Sequence, residues 1–400
     1  MTLRVVSVLS AVLALGLTAV PPAVAEGARV DYQEWRSAQL VRGEHEGTAL
    51  VPGGLVVGRP VGVVDHEGRA YEFARWTSPR RVTGFDATQA VASWNADTPA
   101  GTWLQVELRG DGTGWYVMGR WALGDQDVER TTVSGQDDEH GSVDVDTYVA
   151  KQPLRAYQLR VTLYRSVGTR KSPLLRMAGV MASAIPDRFE VPTSAPGVAR
   201  GVELPVPRYS QNVHEGHFPE YDGGGEAWCS PTSTEMVVEY YGRGPSADDL
   251  SWLDEDHVDR TVDHAARHTY DYDYRGAGNW PFNTAYAASF GLRGHVTRLR
   301  SLSELEGYIA RGVPVITSQS FRADELDGAG YGTSGHIMVV VGFTRDGDVI
   351  ANDPASSSDA AVRRVYDRGQ FEDIWLRTKR YRADGSVAGG SGGIAYIITR

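Results

Sequence analysis

Between Ile185 and Pro207 the hydrophobic pattern of this chain stops, and that break constrains the fold more than any other feature. Pro186, Pro192, Pro196, Pro205 and Pro207 recur there with Thr, Ser, Gly and Ala between them, a composition that reads as a linker over residues 186–202. Two different grammars lie on either side. Before the break, Leu104, Val106 and Leu108 alternate with Gln105, Glu107 and Arg109, the period of a half-buried strand. Gly110 to Gly114 then turns the chain, and Trp115 to Ala122 returns as a hairpin partner. Tyr157, Leu159, Val161 and Leu163 alternate in the same way, and Leu174 to Ala182 is one more apolar stretch. Many short strands with Gly-rich turns and no strong helix predict an all-β sandwich over residues 26–185, jelly-roll-like in architecture.

After the break, residues 203–400 read as mixed α and β. Ser230 to Tyr241 is followed by Gly242, and Ser301 with Glu304 forms a capping box ahead of Leu305 to Arg311 and Gly312. Val313–Phe321, His336–Phe343 and Asp348–Ala351 are apolar and β-branched, and Asp346-Gly347 marks a hairpin turn between the last two. Four hundred residues suit two domains. Two independent apolar patterns predict domains that fold alone, with the sandwich tethering its partner to a surface or polymer.

Residues 1–25 read as a signal peptide. Arg4 is the positive flank, Val5 to Val20 the apolar run, and Ala23-Val24-Ala25 the small-residue cleavage site before Glu26. The expected protein is therefore secreted, with no membrane anchor once the segment is removed. A net charge of −11 with no Lys/Arg cluster argues against a nucleic-acid partner. Only Lys151, Lys171 and Lys379 are lysines, none in a phosphate-cradling Gly-Lys-Ser/Thr context, which argues against ATP chemistry.

Cys229 is the only cysteine, so an internal disulfide is excluded and the thiol needs another reason to be there. It opens the predicted helix in Trp228-Cys-Ser-Pro-Thr-Ser233, where Pro231 suits the first turn and the orphan N–H groups favour a thiolate. A nucleophile also needs a base and a group to orient that base. His336 opens one strand and Asp353 ends its hairpin partner. A tight turn at Asp346-Gly347 sets Asp353 opposite Val340, on the same face as His336 but about four residues away along the strand, so a bulge or strong twist is required for contact.

Four stretches, in this order, resemble the papain-type cysteine peptidases of family thirty-nine, the bacteriocin-leader-processing group, in a soluble exported form. They are Leu204-Pro-Val-Pro-Arg-Tyr-Ser-Gln211, Trp228-Cys-Ser-Pro-Thr-Ser233, Gly335-His-Ile-Met-Val-Val-Val-Gly-Phe343 and Asn352-Asp-Pro354. The resemblance implies a papain-like fold for residues 203–400, Cys229 as nucleophile, His336 as base, Asp353 as orienter and Gln211 as an oxyanion donor. Ser230 stands where the family usually has Gly, and the exporter domains of the leader-processing members have no counterpart here.

The expected activity is hydrolysis of peptide or amide bonds in a peptide or protein substrate, without cofactor or metal. The alternatives are an acyltransferase on the same triad and a non-catalytic surface- or carbohydrate-binding protein with a relic peptidase fold. His264 and His268 have the spacing of helical zinc ligands but read as a solvated helix face, and His214-Glu-Gly-His217 reads as a polar loop near the oxyanion region. Gly389-Gly-Ser-Gly-Gly393 reads as a turn, because no strand-to-helix context supports a nucleophile elbow. A polysaccharide or cell-surface ligand is the expected partner of the sandwich. N-terminal sequencing of the exported protein should begin at Glu26; recovery of Met1 on secreted material would contradict the cleavage.

Overall fold

The computed structural model describes residues 27–400; the expected signal segment lies outside the described residues. The N-terminal half is all β. Twelve strands form one sheet whose path runs through Glu44–Glu46, Arg69–Thr77, Thr147–Ser166, Arg81–Asp97, Leu174–Ala184, Gly54–Val57 and Thr48–Val51. The two ends of that path are consecutive along the chain and joined by Gly47, which bridges to Arg75, so the sheet curls until it nearly closes. Leu104, Val106 and Leu108 are buried as the alternation requires, and Tyr116–Trp121 pairs back on Thr102–Gly110.

The expectation of uniformly short strands is corrected. Arg81–Asp97 spans 17 residues and Thr147–Ser166 spans 20, and each changes partners along its length. Pro153 hid the continuity of the second. It falls within the register shift between Val149 and Leu154, where its missing N–H removes no ladder bond.

The C-terminal half is α+β. Six antiparallel strands run in the order Arg293–Arg298, Ile394–Thr399, Val315–Phe321, Thr333–Phe343, Val349–Asn352 and Arg363–Tyr366. Five helices accompany them: α1 (Cys229–Tyr240), α2 (Arg260–Thr269), α3 (Trp280–Ser289), α4 (Leu302–Ile309) and α5 (Arg368–Leu376). Helix α1 packs on Thr333–Phe343 and against α2 and α3, and every residue from Ser230 to Val238 is buried. At α4 the Ser301 hydroxyl accepts from Glu304 N at 3.1 Å, the expected cap, while the Glu304 carboxylate reaches back to Arg300 N instead of Ser301 N. No helix among the described residues is long and apolar enough to cross a membrane.

The halves do not stand apart. Phe282 of α3 sits 6.0 Å from Trp94 and 5.4 Å from Trp121, ring centre to ring centre, inside one hydrophobic cluster that spans both halves. Asn95 Nδ2 donates to Gly294 O at 2.7 Å, and Val296 N donates to Ser93 Oγ at 3.0 Å. Arg130, fully buried, donates to Ala122 and Leu123 carbonyls on its own side and to Arg267 and Tyr270 carbonyls across the junction.

Residues 186–202 also differ from a free linker. Val191 and Ala199 are buried, and carboxylates of the C-terminal half take up the backbone N–H groups: Asp373 binds Val191 N, Glu372 binds Ser194 N, and Glu306 binds Gly197 N and Ala199 N. Proline and small residues suit this role because an extended strap presents its N–H groups to side chains rather than to a sheet.

A shared core makes folding cooperative across the junction. Phe282→Ala should cost about 3–5 kcal/mol and leave a single denaturant transition for the whole chain. Two separate transitions, with the N-terminal one unmoved, would show that the halves are independent after all.

Candidate functional site

Cys229 is the first residue of α1, half-buried, with Trp228 in the flanking position. No side chain caps this helix end, so the first-turn N–H groups have no intrahelical partner and face the same region as the thiol. The Ser230 hydroxyl pairs with the buried Tyr396 hydroxyl at 2.9 Å, which accommodates the Ser that replaces the usual Gly.

His336 and Asp353 meet, and the backbone shows how. The hairpin closes with Thr344 N donating to Asp348 O, so the loop holds three residues with Gly347 at φ +102°, a left-handed geometry suited to glycine. The ladder then shifts by one more residue between Val340 and Gly342. Val340 therefore pairs with Ala351 and Val339 with Asn352, which carries Asp353 to the level of Met338 rather than Val340. The displacement of two residues preserves the shared face and removes the gap. His336 Nε2 lies 2.8 Å from Asp353 Oδ1. The bulged Val341 carbonyl accepts from Leu204 N at 2.8 Å, and Phe343 N donates to Val202 O at 2.8 Å, so the strap segment covers the irregular stretch. Only glycine fits beneath it: a Cβ on Gly342 would lie 2.2 Å from Val202 O.

Asp353 is held on every side. Tyr331 and Tyr366 donate their hydroxyls to Oδ2 at 2.9 and 2.6 Å, and Ala355 N donates to Oδ1 at 3.0 Å. Burial works to raise this carboxyl, yet the His336 charge and the hydrogen bonds from His336, Tyr366 and Tyr331 hold it below its ordinary value. Burial likewise works to lower His336. The Asp353 charge, the Asp353 hydrogen bond and the neighbouring Cys229 overcome it and push the imidazole up to about 10. The two ring edges are therefore divided, Asp353 at Nε2 and the thiol as the other polar neighbour.

Cys229, His336 and Gln211 line one cleft of about 940 Å³. Gln211 begins the short helical turn Gln211–His214 and donates one Nε2 hydrogen to Glu226 O at 2.5 Å, which leaves its second amide hydrogen uncommitted. The N-terminal half also lines this cleft, through Gln89, Thr147 and Val149. The N-terminal half is thus part of the cleft lining as well as a candidate tether.

The structure thus brings all four sequence-selected residues to one place. The sequence reading missed Tyr331, in the bend ahead of Thr333–Phe343, and Tyr366, at the end of Arg363–Tyr366, since a lone tyrosine carries no signal of the carboxylate it will meet. It also misplaced His264 and His268. They are not on a solvated face: His264 is buried, its Nδ1 pairs with Tyr286 Oη at 3.0 Å, and the two rings stack at 3.8 Å. Burial lowers His264 to about 4, so it is neutral at physiological pH. Gly389 ends the strand Val387–Gly389 rather than lying in a turn, and residues 390–393 loop into the strand Ile394–Thr399, with Ser391 lining the cleft.

Comparison with known proteins gives a match to each half of the chain. Residues 31–183 match the Peptidase C39 N-terminal domain, and residues 203–383 match the Peptidase_C39 like family. Both are models of C39-type peptidases, and together the two matches span most of the chain. A crystal structure of a candidate C39-like peptidase from Bacillus anthracis is similar over 50% of this chain and 98% of its own, at 18% identity and a TM-score of 0.29, too distant to carry an argument. No curated protein matches.

The charge pair has a pH signature. Asp353, depressed, contributes stability above the ordinary carboxyl value of about 4, and His336, raised, contributes fully below about 6.5 and loses its contribution as pH rises through about 10. The His336 ring should remain an imidazolium by NMR well above pH 7, and Asp353→Asn should bring its titration down by more than one pH unit. An imidazole already neutral at pH 7 in the unmodified protein would contradict the arrangement.

Proposed function

We propose that the protein is an exported cysteine peptidase or amidase of papain-like architecture, with Cys229 as nucleophile, His336 as acid and base, Asp353 as orienter and Gln211 as oxyanion donor. The observation that carries this reading is His336, gripped by Asp353 on one ring edge and facing the helix-terminal Cys229 on the other, within a cleft that admits a peptide. The thiolate attacks the scissile carbonyl carbon while the His336 imidazolium supplies its counter-charge. Negative charge collects on the carbonyl oxygen, where the free Gln211 amide hydrogen and the uncapped N–H groups at the start of α1 stabilise it. The amide C–N bond breaks as His336 gives its proton to the leaving amine. Water, deprotonated by His336, then cleaves the thioester and restores the thiol.

The same acyl-enzyme captured by an amine gives the acyltransferase reading, and the inert, ligand-binding reading leaves the buried and fully hydrogen-bonded Asp353–His336 pair without a purpose. For the N-terminal half, read as a jelly-roll-like sandwich, the cleft wall favours substrate selection over the binding of a separate polysaccharide. The match to C39-type peptidase models supports a peptide or protein substrate.

Cys229→Ala should abolish hydrolysis of peptide substrates without unfolding the chain. Gln211→Ala should lower kcat by about 10²–10³-fold with KM little changed, and Asp353→Asn should be milder than His336→Ala because an amide still orients the ring. Gln89→Ala should act mainly on KM. Steady-state kinetics on a soluble peptide library checks all four; full turnover by Cys229→Ala would end the thiol mechanism.

A further inference from the structure

A second cluster lies behind the Gln211 turn. His214 ends that turn, His217 follows in the loop, and Asp263 projects from α2. One ligating atom of each lies within 4.8 Å of the other two. His214 and Asp263 are completely buried, next to the apolar group of Trp228, Val262 and Ala266. The polar loop expected from His214-Glu-Gly-His217 is thus half interior.

The hydrogen bonds do not account for this burial. His217 Nδ1 pairs with Asp263 Oδ1 at 3.1 Å, which satisfies one carboxylate oxygen. His214 Nδ1 is 3.2 Å from Asp263 Oδ2, yet neither atom has a hydrogen-bond partner, so the ring and the oxygen are close without being aligned on each other. His257 Nδ1, also without a partner, stands 3.9 Å from the same oxygen, and its ring stacks on His217 at 4.6 Å. Buried polar atoms left unpaired are rare in folded proteins, and three converging on one spot point to a ligand they share.

We propose that His214, His217, His257 and Asp263 bind one zinc ion that fastens the loop between Gln211 and Trp228 to α2. Three imidazole nitrogens and one carboxylate oxygen are a zinc donor set. Bonds of about 2.0–2.2 Å at tetrahedral angles hold donors roughly 3.3–3.5 Å apart; His217 Nδ1 lies 3.1 Å from Asp263 Oδ1, His214 Nδ1 lies 3.2 Å from Asp263 Oδ2, and His257 Nδ1, 3.9 Å from Oδ2, has to draw in to complete the set. The site is structural, since four protein donors leave no open position for substrate. Its consequence for the cleft is positional: the loop that it pins carries Gln211 at one end and leads into Cys229 at the other. The inference does not depend on what Cys229 does.

The test is zinc titration of the chelator-treated, purified chain against a chromophoric chelator, in the unmodified protein and in the Cys229→Ala and His217→Ala variants. His217 is chosen because it is partly exposed and its loss leaves the interior packed. One equivalent of zinc should bind to the unmodified chain and to Cys229→Ala alike, and the thermal midpoint of both should rise with zinc. His217→Ala should weaken binding by at least about tenfold, since even an outer partner of a metal ligand is worth 10–100-fold, and should lose the thermal response. Cobalt in place of zinc should give the intense visible bands of four-coordination. No stoichiometric binding by the unmodified chain, binding lost in Cys229→Ala, unchanged binding in His217→Ala, or a six-coordinate cobalt spectrum would each overturn the proposal.

Discussion

A single extra residue in one strand decides whether this chain has a site at all. Without the bulge at Val341, and with a two-residue turn at Asp346-Gly347, the Asp353 carboxylate would lie opposite Val340, far from the His336 ring. The bulge leaves a carbonyl outside the ladder and exposes an irregular stretch of backbone, both of which cost stability unless something covers them. Leu204 N and Val202 O supply the missing partners, and Gly342 gives them room to approach. The Pro-rich approach to the C-terminal half thereby belongs to the machinery that sets the His336–Asp353 contact.

The same coupling extends to the N-terminal half. Trp94 and Trp121 close over Phe282 at the junction, and Gln89, Thr147 and Val149 line the same cleft as Cys229. A helix-terminal thiol with an imidazole beside it is a local device, whereas the shape of the space in front of it is made by both halves together.

The part of this account that was legible in the sequence is the part carried by local pattern. Period-two alternation located Thr102–Gly110 and its hairpin partner, and Cys229 with Pro231 marked the start of α1 to within one residue. The order of Gln211, Cys229, His336 and Asp353 indicated the family. Long-range geometry was not legible. Nothing in the run Val339-Val-Val-Gly342 announces which residue bulges, because all of its side chains suit a strand equally. The alternation from Tyr157 to Leu163 showed only part of a strand that begins at Thr147 and passes through Pro153 at a register shift. The prolines near residue 190 read as a free linker because the carboxylates that capture its N–H groups, Glu306, Glu372 and Asp373, lie more than a hundred residues downstream. His264 and His268 read as exposed because charged and polar neighbours in sequence do not reveal Tyr286 and Phe290 packing on His264, or His268 stacking on it in turn.

The central claim is that Cys229 is a nucleophile armed by His336. It is tested most directly by treating the chain with a peptide-linked electrophile at pH 7 and following the intact mass with time, in the unmodified protein and in His336→Ala. The account requires one adduct, mapped to Cys229, forming quickly in the unmodified chain and much more slowly without the imidazole, with the two rates converging at alkaline pH where a free thiol ionises unaided. Equal rates in both proteins at pH 7, or no adduct on Cys229 in the folded unmodified chain, would contradict it.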